Sequence, residues 1–207
     1  QDIFLTSPGA ILDGYVNEEM NVRSRSMQLT AARSIGTSDN PLDIGSNADG
    51  QVVASSGLAD VIYLNVPEGS ARFTSVLAGE TAGITSSVGY AVDGLVRASG
   101  PVSLSAAGGI AIGPDGVARS DRGDIAVLAG VLTMQEGAWI NALLGDVTID
   151  TSAGTALSSV SAGRDIRVAG GDDITGVGDG VNLTGNNFTI NSRNGSVGSV
   201  AQYLVGD

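Results

Sequence analysis

The chain has 207 residues and a net charge of −12 from 22 acidic and 10 basic side chains, and every basic residue is Arg. The absence of Lys, His and Cys excludes Cys or His-activated Ser nucleophiles, Schiff-base chemistry, imidazole acid–base catalysis and Cys/His zinc sites, leaving Asp, Glu, Tyr and Arg for any chemistry. The acidic balance disfavours nucleic acid and anionic membranes, and no run of eighteen apolar residues is present, so neither a nucleic-acid partner nor membrane insertion is expected.

In chain order, short apolar-x-apolar phrases begin at Asp2-Ile3-Phe4-Leu5 and return at Ser26-Met27-Gln28-Leu29. From about residue 37 to residue 98 the repeat blurs, although strands are predicted over 51–54, 61–64, 73–77 and 95–97; longer loops or one irregular coil are expected there, within a single domain spanning 1–207. Beyond it the phrase is clear at Pro101-Val102-Ser103-Leu104, Asp124-Ile125-Ala126-Val127, Asp146-Val147-Thr148-Ile149, Asp165-Ile166-Arg167-Val168 and Asn187-Phe188-Thr189-Ile190. Successive starts differ by 23, 22, 19 and 22 residues, the drift expected of a solenoid with variable turns.

A second apolar pair follows in each period, as at Gly109-Ile110-Ala111-Ile112 and Asp173-Ile174-Thr175-Gly176-Val177. A third short strand is predicted at Gly137-Ala138-Trp139-Ile140 and at Gly180-Val181-Asn182-Leu183. Three strands per period imply a three-sided parallel β-helix with coils of about 19–23 residues. Alternate residues such as Ile125, Val147, Ile166 and Phe188 then stack inside, in about nine coils making a rod roughly 45 Å long.

With 31 Gly and only 4% aromatic residues, a narrow stack of Val, Ile and Leu is better suited than a wide globular interior. Glycines at Gly108-Gly109, Gly170-Gly171, Gly185 and Gly195 are expected at corners that need positive φ. Frequent Gly argues against helices, and a β-sandwich, the structural rival, would not require phrases with one internal grammar.

The segment Ser34-Ile35-Gly36-Thr37-Ser38-Asp39-Asn40-Pro41-Leu42-Asp43-Ile44, preceded by Met27-Gln28-Leu29-Thr30-Ala31-Ala32, resembles a phrase in giant bacterial surface exoproteins of the filamentous haemagglutinin type. The units around Gly123-Asp124-Ile125, Gly145-Asp146-Val147 and Gly163-Arg164-Asp165-Ile166, with Ala169-Gly170-Gly171, are similar to repeats of that class. The resemblance implies an all-β, right-handed parallel β-helix in a secreted adhesin or stalk, extracellular or on the bacterial cell surface. Gln1 does not begin a signal peptide, so the chain reads as a segment of a longer precursor or as a mature product.

Candidate sites are few. Arg122-Gly123-Asp124 is the integrin-recognition tripeptide, yet Asp124 occupies the place of Asp146 and Asp165, which also reads as a corner and a strand start. Asp172, Asp173 and Asp179, in a Gly-rich stretch, are similar to calcium-binding repeats, against the alternative of a solvated acidic turn; no other cofactor is expected. A carbohydrate-cleaving site could be assembled from Asp150, Asp172, Asp173 and Asp179 with Arg164 or Arg167, but Asp at coil starts also caps turns through backbone N–H groups, and Tyr63, Tyr90, Trp139 and Tyr203 are scattered.

The leading expectation is a non-enzymatic structural or adhesive stalk. Its partners would be neighbouring coils of a longer parent chain or identical subunits stacked end to end as a fibre, with a host receptor or glycan beyond them. A carbohydrate-binding or carbohydrate-cleaving β-helix is the alternative.

Overall fold

The computed structural model describes residues 1–14, 20–46, 50–178 and 182–198, and among them every regular element is a β-strand. The strands stack in parallel as a β-solenoid of about eight turns, one fewer than the repeat count implies. Coil-to-coil hydrogen bonds run along the axis, so each strand pairs with its equivalent in the next coil and not with its neighbour in sequence.

One face carries β2 (Val22–Ser24), β4 (Leu42–Ser46), β6 (Ile62–Val66), β8 (Ala82–Ser86) and the first half of β10 (Val102–Ile112). It continues through the first half of β12 (Ile125–Met134), then β14 (Val147–Thr151), β17 (Asp165–Gly170) and β20 (Asn187–Ser192). Val102 pairs with Ile125, Ile125 with Val147, Val147 with Ile166 and Ile166 with Phe188, which reproduces the spacing of the phrases. Val102, Ile125, Val147 and Ile166 are buried and stack in one column, while Ser103, Ala126 and Arg167 point outward.

The second and third faces begin as one. β1 (Asp2–Ser7), β3 (Ser26–Ala31) and β5 (Val52–Ser55) pair along their lengths. The first two phrases of the chain therefore belong to these faces and not to the face of Val102 and Ile125, although the spelling is the same. In β7 (Arg72–Ala78), Thr74 is inserted as a bulge relative to β5, and in β9 (Tyr90–Ala98) Asp93 and Gly94 are inserted. In the next coil Gly113–Gly116 separates the end of β10 from β11 (Val117–Ser120), and in the following one Gln135–Ala138 separates β12 from β13 (Trp139–Ala142). From there three faces are distinct, the second continuing into β15 (Thr155–Leu157) and β18 (Ile174–Gly176), the third into β16 (Ser159–Ala162) and β19 (Leu183–Thr184).

Two interior columns run through this change without a break. One is Met27, Val52, Phe73, Val92, Ile112 and Met134; the other is Leu29, Ala54, Val76, Val96, Ala118, Ile140 and Val160. Each buried branched side chain contributes about 1.5 to 3 kcal/mol of apolar transfer energy. Phe73 meets the buried Tyr90 ring edge-on, with centroids 5.4 Å apart and planes at 88°. Between 37 and 98 the coils keep this order through β4 to β9, and the excess residues go into the turn Gly36–Pro41, which lies between Ile35, bridged to Ile62, and Leu42, paired with Leu64.

The corner glycines have a different reason from the one expected. Among the described residues positive φ occurs only at Gly36, Gly69, Gly137, Gly178 and Gly198. Gly108, Gly170, Gly171, Gly185 and Gly195 are absent from that set; at Gly108 and Gly171 a Cβ would strike the carbonyls of Val88 and Ser152 in the preceding coil. Close approach of backbones selects glycine at positions 108, 171 and 195.

Candidate functional site

Arg122, Gly123 and Asp124 lie where the third face turns into the first. The chain turns tightly because the Ser120 hydroxyl, buried at the end of β11, accepts the Gly123 N–H at 2.9 Å and lies 2.7 and 2.8 Å from the carbonyls of Gly123 and Gly100. A Cβ on Gly123 would sit 2.5 Å from the Pro101 nitrogen and 2.6 Å from the Gly100 carbonyl carbon. Gly100, Gly123 and Gly145 stand in register and repeat this contact with the preceding coil, forming a glycine column along one corner, while Gly163 meets Leu143 and Leu144 one residue out of that register.

Beside that column runs a ladder of carboxylates. Asp124 Oδ1 accepts the Asp146 backbone N–H at 2.8 Å, Asp146 Oδ1 accepts that of Asp165 at 3.1 Å, and Asp165 Oδ1 accepts the side-chain amide of Asn187 at 2.8 Å. The expected capping is present, but each carboxylate caps the next coil and not its own turn. Carboxylates one coil apart repel, and the Arg164 guanidinium lies 3.5 Å from Asp124 and 3.6 Å from Asp146 to offset this. Asp124 is thereby engaged by a backbone N–H and by Arg164, while Arg122 reaches Glu80 at 3.6 Å. The integrin tripeptide thus coincides with a rung that joins coils.

Arg97 and Arg72 also bind across coils, and Arg119 binds within its own. Arg97 donates to Asp121 Oδ2 from Nη2 at 2.6 Å and from Nε at 3.0 Å, and Arg119 donates to Oδ1 at 2.9 Å. The Arg97 hydrogen bonds, joined by those of Arg119, hold the Asp121 carboxyl below the ordinary carboxylate range against the opposing effect of partial burial. Arg72 donates to Asp93 at 2.6 Å.

The described residues of the sugar-cleaving expectation are not brought together. Asp150 faces outward on β14 and binds Arg193, 2.6 Å away on a corner two coils on, while a second Arg193 nitrogen donates to the Thr151 carbonyl at 3.0 Å. Arg167 lies 3.9 Å from Asp165, Arg164 serves the carboxylate ladder, and Asp172 and Asp173 stand at the corner before β18. Sequence reasoning missed Arg193, because its partner is 43 residues away and neither position carries a motif. Asp150 and Arg193 border a shallow groove with Ser105, Leu128 and Ser152.

Of the calcium candidates, Asp173 Oδ1 accepts the Ser196 N–H at 2.7 Å, one more coil-joining rung, and Asp172 is exposed; Asp179 lies outside the described residues. Among the described residues no three carboxylates converge as a metal would need. The buried Tyr90 hydroxyl lies 3.4 Å from the Ile84 carbonyl, and desolvation pushes its pKa well above the ordinary phenol value. No described helix is long and apolar enough to cross a membrane. Compared with protein-family models, with curated proteins and with solved structures, the chain matches none of them.

Proposed function

We propose that the chain is a non-enzymatic, extracellular or cell-surface rod whose work is mechanical: it spaces and displays other parts of a bacterial adhesin. The observation that carries this reading is the continuity of the coil-to-coil bonding. Interior columns run through the change from two faces to three, and the polar groups of Asp124, Asp146, Asp173 and Arg193 join coils. A solenoid of this kind is stabilised by each coil and its nearest neighbours, so length can change without altering the fold.

The test removes one coil in register, residues 125–146, and measures the length by small-angle scattering and electron microscopy. A rod shorter by about 4.8 Å with the remaining strands intact is expected of a spacer. Turnover of an oligosaccharide by the intact chain, lost in Asp150→Asn, would overturn the reading in favour of an enzyme.

A second reading is favoured by one edge. Among the described residues β1 pairs only with β3, and Phe4 stands 73% exposed on it. Strand addition on that edge by neighbouring coils of a longer chain or by an identical subunit would build a fibre. Light scattering across concentration distinguishes the two, since filaments of uniform width favour the fibre subunit and a stable monomer favours the spacer.

A further inference from the structure

The last described corner holds the one Asn-Gly pair of the sequence, Asn194-Gly195. Of the other asparagines of this region, Asn182 donates to the carbonyls of Leu157, Ser158 and Val177, Asn186 to Gly163 and Asn187 to Asp165, whereas the exposed Asn191 is followed by Ser192 and not by a glycine. Asn194 is exposed, and among the described residues its carboxamide has no hydrogen-bond partner. The following residue has no side chain to obstruct approach of its own backbone nitrogen to that carboxamide.

We propose that Asn194 is a site of spontaneous covalent modification in which the Gly195 nitrogen attacks the Asn194 Cγ. The N–Cγ bond forms, the Cγ–Nδ2 bond breaks, and ammonia leaves with the proton from the Gly195 amide. Water then opens the resulting succinimide on either side, giving aspartate or, by adding a methylene to the main chain, isoaspartate. No redox partner or enzyme is needed.

The corner is poorly suited to an added methylene. Gly195 is pressed against the backbone of Asp172 and Asp173, with a Cβ position 2.5 Å from the Asp173 nitrogen, and the next residue donates to Asp173 Oδ1. Val197 then bridges to Ile174. Lengthening the main chain here shifts Ser196 and Val197 out of register, and the new carboxylate adds negative charge beside Asp172 and Asp173. The modification therefore acts as a clock that loosens this corner while leaving the coils of 102–151 paired.

The experiment incubates the whole folded chain at pH 8 and maps the gain of about one mass unit per converted amide by peptide mass spectrometry, with enzymatic detection of isoaspartate. Asn194 is expected to convert about tenfold or more faster than any other asparagine, and hydrogen exchange is expected to rise in 187–198 but not in 102–151. Asn194→Gln keeps the amide but disfavours ring closure, and is expected to abolish both changes. Asn194→Asp supplies the charge without the methylene, and is expected to reproduce less of the loosening. Conversion of another asparagine first, or an Asn194 that stays unmodified while the chain remains folded, would overturn the proposal.

Discussion

The coils around β3 and β5 and the coils around β10 to β13 solve the same problem with different outlines. In the first pair, one straight strand spans what later becomes two faces, and Val53 follows Val52 without interruption. In the second pair, Gly113–Gly116 and Gln135–Ala138 break that span into two strands with a corner between them. The inward-facing columns are common to both, from Met27 to Met134 and from Leu29 to Val160. What fixes a coil in this chain is thus its set of buried rungs, whereas the length of chain between rungs is free to vary.

That contrast fails if buried rungs and outer corners respond alike to change, and the largest test is insertion of one residue after Val127 in β12. It moves every later side chain of that strand to the opposite face, and loss of the cooperative unfolding transition by circular dichroism is expected. Next in size is Phe73→Ala, at the coil where the faces begin to separate, with an expected loss of about 3 to 5 kcal/mol in chemical denaturation. Gly123→Ala forces a methyl against Gly100 and Pro101, with an expected cost of about 1 to 3 kcal/mol.

A smaller effect concerns pH. The folded pKa of Tyr90 is raised, so its contribution is present below the unfolded phenol value and is lost as pH rises through the folded value; Tyr90→Phe is expected to flatten the alkaline limb of thermal stability above about pH 10. Asp121 has the opposite sign: its folded pKa is lowered, so its contribution is present above the unfolded value and is lost as pH falls through the folded one. Arg97→Gln is therefore expected to flatten the acid limb below about pH 4. Least of all, a Gly-Ser pair inserted between Pro114 and Asp115 is expected to cost under about 1 kcal/mol, because loop closure depends weakly on length. A large loss there would show that outer corners are as constrained as rungs.

The parts of the fold that sequence reveals are those where the strand and its partner are spelled alike at a steady interval. The phrases at Val102, Ile125, Val147, Ile166 and Phe188 pair as their spacing predicts. Asp2–Leu5 and Ser26–Leu29 share that spelling but sit on other faces, because alternation records that a strand is half-buried and not which side of the coil it forms. The glycine corners were visible, yet their cause was not: a near approach to Val88 or Ser152 depends on the preceding coil, which local sequence does not contain. The same distance in sequence hid Asp150 and Arg193, whereas the equivalence of Asp124, Asp146 and Asp165 was legible because all three open the same phrase.

The glycine column of Gly100, Gly123 and Gly145 has a consequence for the shape of a long rod. Successive coils approach there backbone to backbone, so little side-chain material lies between them to absorb a misfit. A single methyl at one level would act as a wedge, and the tilt it introduced would carry every later coil sideways in proportion to its distance. The straightness of a rod built this way is therefore set at its closest contacts, where one missing carbon per coil keeps the lever from forming.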